Sequence, residues 1–139
     1  MSAKVKILII EDEVPVALLM VALLTRAGCE VEVATVAEKG IRLADEGNFD
    51  LITLDIDLPR ASGFEICRRL KENPSLHCTP IVFVSGRSSL EDQQHGLEAG
   101  AADYITKPFE AWEFAARLLS HIKARNNSRF IAASENTTT

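Results

Sequence analysis

No apolar run in this 139-residue chain approaches the about 18 residues needed to cross a bilayer. Near the N-terminus only Ile7 to Ile10 are continuously apolar before Glu11-Asp12-Glu13, too short for a signal-peptide core, so a cytoplasmic protein with no membrane contact is expected. Cysteine is scarce: Cys29, Cys67 and Cys78 are odd in number, widely spaced and without a CxxC pair. That excludes a disulfide framework or thiolate metal site and leaves small reduced core fillers. His77, His95 and His121 show no ligand spacing either. Positive charge is also in deficit, since 15 Lys and Arg oppose 20 Asp and Glu for a net charge of −5. Such a balance argues against a direct nucleic-acid surface. What is present is 47% apolar residues and a mean hydropathy of +0.07, enough for one globular domain with a substantial core.

The apolar residues fall into short runs. Val5 to Ile10, interrupted only by Lys6, lead into Glu11-Asp12, and Leu51-Ile52-Thr53-Leu54 lead into Asp55. Pro80 to Val84 lead into Ser85-Gly86, and Tyr104-Ile105 lead to Lys107-Pro108. Runs of this kind are strands buried on both faces, the habit of parallel sheets. Val31 and Val33 mark one more strand. Between them lie helical stretches. The first opens at Pro15, carries Leu18, Leu19, Ala22 and Leu23 at helical spacing, and closes at Ala27-Gly28; the second spans Ala37 to Glu46. The third runs from Gly63 to Asn73-Pro74, and the fourth starts with Ser88 and Glu91 as a capping box and ends at Ala99-Gly100. The last spans Phe109 to about Arg125. Five strands alternating with five helices predict an α/β fold, a doubly wound five-stranded parallel sheet. Residues 1–125 form this domain, and residues 126–139 read as a polar, disordered tail.

Parallel strands deliver their last residues into the crevice beyond the carboxyl edge of the sheet, where ligands bind. Collected there are Glu11, Asp12, Asp55, Ser85 and Lys107. Clustered carboxylates repel one another unless a cation neutralises them. An all-oxygen set without histidine or thiolate favours Mg²⁺ or Mn²⁺. A hydroxyl and an ammonium added to such a site make a cradle for a phosphoryl group, with one Asp placed for in-line attack.

Over residues 4 to about 125 the chain resembles the receiver domains of two-component response regulators, the CheY-like family. The resemblance is carried by Ile10-Glu11-Asp12-Glu13, Leu54-Asp55-Ile56-Asp57-Leu58-Pro59, Ser62-Gly63-Phe64-Glu65, Val84-Ser85-Gly86 and Gly100 through Phe109. It implies a flavodoxin-like (βα)5 fold with strand order 2-1-3-4-5. It implies that Asp55 accepts a phosphoryl group from the phosphohistidine of a histidine kinase or phosphotransfer protein. Mg²⁺ would be held by Asp12, Asp55 and the backbone carbonyl of Asp57, with Glu11 acting through water. Lys107 and Ser85 would bind phosphoryl oxygens, and Ser85 with Tyr104 would form the switch pair. The added charge would alter the surface of the fourth helix, fifth strand and fifth helix, for a downstream protein or for self-association. Such a protein catalyses its own phosphorylation and slow dephosphorylation but is not a turnover enzyme.

Two rival readings exist. Asp55-Ile56-Asp57 also resembles the DxD motif of haloacid-dehalogenase phosphatases, although that motif usually ends the first strand and needs a further acidic pair after the lysine. The other rival is a receiver-like binding module that works without phosphorylation. Departures from the receiver pattern are Gly86, where Ala is usual, and Ala102, where receivers that dimerise for DNA binding carry Asp. Too few residues follow 125 to fold as an effector domain, so a receiver standing alone or cut from a longer protein is expected. Asp57, Gly86 and Arg87 should rim the site opening, with Asp57 and Arg87 able to pair across it. On the last helix Phe114, Leu118 and Ile122 share the face toward the sheet, and Trp112, Ala116 and Leu119 lie opposite as a candidate interface unless Phe130-Ile131 cover the Trp.

Overall fold

A computed structural model describes residues 4–137, with side-chain surroundings through Arg129. The five main strands are β1 (Lys6–Ile10), β2 (Glu30–Ala34), β3 (Leu51–Leu54), β4 (Ile81–Ser85) and β5 (Asp103–Thr106). All neighbours pair in parallel in the order β2-β1-β3-β4-β5. The helices are α1 (Val14–Arg26), α2 (Ala37–Glu46), α3 (Gly63–Lys71), α4 (Leu90–Glu98) and α5 (Ala111–Thr137). A single 3-10 turn, Pro74–Leu76, follows α3, and a small antiparallel hairpin pairs Asp57–Leu58 with Ala61–Ser62. The fold is thus the doubly wound, flavodoxin-like α/β architecture expected.

β1, β3 and β4 are buried along their length, apart from half-buried Lys6, and mostly apolar because helices cover both of their faces. One face packs Ile7, Ile9, Leu51, Val82 and Val84 against Met20 and Leu24 of α1 and Phe114, Leu118 and Ile122 of α5. The other packs Leu8, Ile10, Ile52, Leu54 and Phe83 against α2, α3 and the Ala99 end of α4. The outer edge belongs to β2, where Glu30 and Glu32 alternate with half-buried Val31 and Val33. Gly28 and Gly100 take the left-handed backbone (φ 92° and 109°) just past α1 and α4, a conformation that lets each helix end at once.

α1 forms as expected and buries Ala17, Met20 and Leu24, while Leu18 and Leu19 face outward. Two expectations need correction. The cap of α4 is Ser89, whose hydroxyl accepts from the Asp92 amide, one residue beyond the Ser88–Glu91 pair. The chain does not leave the helix at Arg125: α5 runs on to Thr137, so residues 126–137 are helical and not a disordered tail. No Gly or Pro follows Arg125 to break the backbone pattern. Arg125 is itself fixed, donating to the Asp50 carbonyl at 2.9 Å and to its carboxylate at 2.7 Å.

Candidate functional site

Strand endings place the site. Glu11 and Asp12 follow β1, and the Glu11 amide bonds the Ala34 carbonyl of β2. Asp55 follows β3, its amide donating to the Ile10 carbonyl. Ser85 ends β4, and the Lys107 amide after β5 donates to the Ser85 carbonyl at 2.8 Å. The Lys107–Pro108 peptide is cis. Backbone hydrogen bonds therefore tie the end of β3 to that of β1, and the end of β5 to that of β4, before any side chain is considered. α3 begins at Gly63, whose amide donates to the Ile56 carbonyl and whose backbone lies against the Asp55 carbonyl.

Carboxylate oxygens of Glu11, Asp12 and Asp55 all lie within 4.8 Å of one another. Lys107 Nζ stands 2.6 Å from Glu11 Oε1 and 3.1 Å from Asp55 Oδ2, with Glu13 Oε1 at 3.8 Å. Glu11 and Asp55 are only 1% and 4% exposed, so their charges interact at reduced screening. Burial pushes the Glu11 carboxyl above its ordinary range, against the pull of Lys107 and the Glu13 amide. Burial alone would lower the Lys107 ammonium, but its contacts with Glu11 and Asp55 outweigh that and raise it. Three carboxylates facing one ammonium leave the pocket short of positive charge. The donor set is oxygen only, which fits a hard divalent cation such as Mg²⁺.

The rim and the tyrosine extend this core. Asp57 Oδ1 and Oδ2 accept from Arg87 Nε and Nη2 at 2.7 to 3.1 Å, a bidentate pair across the opening. Arg87 holds the exposed Asp57 carboxyl below its ordinary range. The Asp57 amide donates to Asp55 Oδ1 at 3.3 Å, and the Arg87 amide to Ser85 Oγ at 3.3 Å. Ser85 is fully buried. The Tyr104 ring lies inward, 6% exposed, and its hydroxyl donates to the Arg87 carbonyl at 2.6 Å. A groove of about 700 Å³ opens beside this rim, lined by Asp12, Asp57, Pro59, Ser62, Phe64 and Arg87. Gly86 faces open space.

Glu11, Asp12, Asp55, Ser85 and Lys107 thus converge at one edge of the sheet, ringed by Asp57, Gly86 and Arg87. Trp112 (77% exposed) and Ala116 face outward, but Leu119 is half-buried against the α1/α5 core. The side chains of Phe130 and Ile131 lie outside the described residues. Two features escaped the sequence reading. One is the direct Glu11–Lys107 contact; the other is Asp103, which accepts from Arg117 at 2.6 Å and contacts His121 at 2.9 Å. The spacing of Arg117 and His121, one helical turn apart on α5, was the available signal for the second.

A family model described as the response regulator receiver domain matches residues 7–119. The chain belongs to that family. Curated relatives include a transcriptional regulatory protein, DltR, of Streptococcus agalactiae, 40% identical over 123 residues, covering 88% of this chain and 53% of the relative. A response regulator, ArlR, of Staphylococcus haemolyticus is 41% identical over 112 residues, 81% of this chain and 50% of the relative. This receiver therefore spans about half the length of those relatives. Its structure resembles a CheY-like receiver domain from Methanospirillum hungatei (TM-score 0.85, 26% identity, 91% of this chain and 99% of that one). It also resembles the receiver domain of a sensor histidine kinase from Pseudomonas aeruginosa, described with a magnesium ion coordinated in its active-site cleft (TM-score 0.80, 26% identity, 87% and 99% coverage). The relatives are response regulators and not turnover phosphatases. Among the described residues no helix is long and apolar enough to cross a membrane.

Proposed function

We propose that Asp55 accepts a phosphoryl group from the phosphohistidine of a histidine kinase or phosphotransfer protein. The observation that carries this reading is the Lys107 ammonium 3.1 Å from Asp55 Oδ2 inside a buried carboxylate cluster. An Asp55 oxygen attacks phosphorus, the phosphorus–nitrogen bond breaks, the imidazole leaves with a proton, and an acyl phosphate remains. Lys107 neutralises charge on the transferring group, and the Ser85 hydroxyl donates to a phosphoryl oxygen. Asp12, Asp55 and the Asp57 carbonyl would hold a Mg²⁺ ion, with Glu11 acting through water, and the ion would supply the positive charge the pocket lacks. Outward-facing Val14, Leu18 and Leu19 on α1 give an apolar helical donor a surface to rest on beside the site. Intact-mass analysis after acetyl phosphate treatment tests the reading. Wild type should gain one phosphoryl group and Asp55→Asn none, and an adduct persisting in the variant would overturn the assignment.

The output surface on this reading is the face of α4, β5 and α5, with Trp112 and Ala116 as its apolar contact to a downstream protein or a second copy. An exposed Trp on an outward helix face supports this, because aromatic anchors are enriched in interfaces. Half-buried Leu119 contributes its edge at most. Sedimentation with and without beryllofluoride should show association that Trp112→Glu removes. Monomers in every condition, with partner binding intact in the variant, would leave Trp112 without this role.

A further inference from the structure

The loop joining β4 to α4 has little apolar anchorage. No heavy atom stands within 4 Å of where a Cβ on Gly86 would lie, and Leu90 at the start of α4 is 83% exposed. The loop is tied instead at Arg87, by three different parts of one residue. Its guanidinium grips Asp57 with two nitrogens, its amide donates to Ser85 Oγ, and its carbonyl receives the Tyr104 hydroxyl at 2.6 Å. Behind the tyrosine, the fold has cleared space for the ring. A Cβ at Gly96 would stand 2.9 Å from Phe83 Cδ2 and 3.2 Å from Tyr104 Cδ2. Asp57 in turn is bonded through its amide to Asp55 Oδ1. An unbroken chain of contacts thus joins Asp55 to the ring on the output face.

We propose that Arg87 is a positioning residue, whose grip on Asp57 fixes the loop so that the Arg87 carbonyl holds the Tyr104 ring inward. The rim ion pair then sets the resting balance between inward and outward ring before any phosphoryl group arrives. Charge changes at the mouth of the site reach the α4–β5–α5 face through this residue. Its consequence for signalling rests on Asp55 being the phosphoacceptor; its effect on the ring does not. Because the pair is half-exposed, its hold is modest and screened by salt.

Tyr104 is the only tyrosine, so the full chain labelled with 3-fluorotyrosine gives one fluorine resonance that reports ring position. Gly96→Ala, which crowds the pocket, marks the outward position. Arg87→Ala should move the resonance toward that mark, the inward-to-outward ratio falling about three-fold. Arg87→Lys should recover part of the shift. Raising salt from roughly 0.05 to 1 M should move wild type the same way and leave Arg87→Ala unmoved. Arg87 also stands 3.9 Å from Asp92, so Asp57→Ala and the double variant isolate the rim pair. The double variant should shift no further than either single one. An unshifted resonance in Arg87→Ala, or additive effects of the two substitutions, would overturn the proposal. None of these measurements involves phosphorylation, so failure of Asp55 labelling would leave this result standing and its own failure would leave the phosphoacceptor standing.

Discussion

A methyl group at Gly63 would strike the Asp55 carbonyl and stand 2.7 Å from the Ile56 Cα, both backbone atoms with no room to retreat. Gly63 is thus what allows α3 to start hard against the Asp55–Ile56 peptide, whose Asp55 is the proposed phosphoacceptor. Gly63→Ala should cost about 1–3 kcal/mol by overpacking and slow acetyl phosphate labelling by shifting Asp55. Urea unfolding and a labelling time course check the two effects, and unchanged labelling would show that the Asp55 backbone tolerates the push. At this scale the site was legible wherever a side chain sits at a strand end or within two residues of it, as for Asp12, Asp55, Ser85 and Lys107. Counting two residues past Asp55 and Ser85 also placed Asp57 and Arg87 on one rim. The Glu11–Lys107 contact was not legible, because it spans from β1 to β5 across two intervening strands and depends on the reach of a lysine. Thr53 Oγ1 is buried without a hydrogen-bond partner, and nothing in the structure accounts for it.

Between elements, the tie from β5 to α5 is the Asp103 carboxylate, which takes Arg117, His121 and the Tyr104 amide together. Burial works against its charge, but Arg117 and His121 prevail and hold its carboxyl below the ordinary 3.8. A depressed acid stabilises the fold fully above its unfolded value and loses that contribution as pH falls through the folded one. Asp103→Asn should therefore cost about 1–3 kcal/mol at neutral pH, with the gap to wild type closing only below about pH 3.8. Thermal unfolding across pH measures this; a gap that closed near neutrality would point to another group. Sequence spacing read the sheet-facing stripe of α5 correctly. It could not say which side of α1 faces inward, because Val14 through Leu24 is uniformly apolar and every face looks like an inner one. It also stopped α5 too early by treating polar composition as disorder, when polar residues without Gly or Pro continue a helix readily.

For the molecule as a whole, the carboxylate pocket predicts a stability that depends on divalent cations. Mg²⁺ at about a hundred times its Kd should add about 2.7 kcal/mol to unfolding, removable with EDTA and absent in Asp12→Ala. A melting temperature indifferent to Mg²⁺ would remove the metal from this site. The alternation of strands and helices made the doubly wound parallel sheet readable, while the strand order came only with the resemblance to receiver domains. One edge of that sheet also decides how copies of the chain can meet. β2 offers a row of backbone donors and acceptors to any extended strand, the usual route to runaway stacking. A second β2 arriving there would bring Glu30 and Glu32 against their own duplicates across strands about 4.8 Å apart, well inside the screening length of physiological salt. Like charges so placed repel, so two copies of this chain should not extend one sheet into the other through β2.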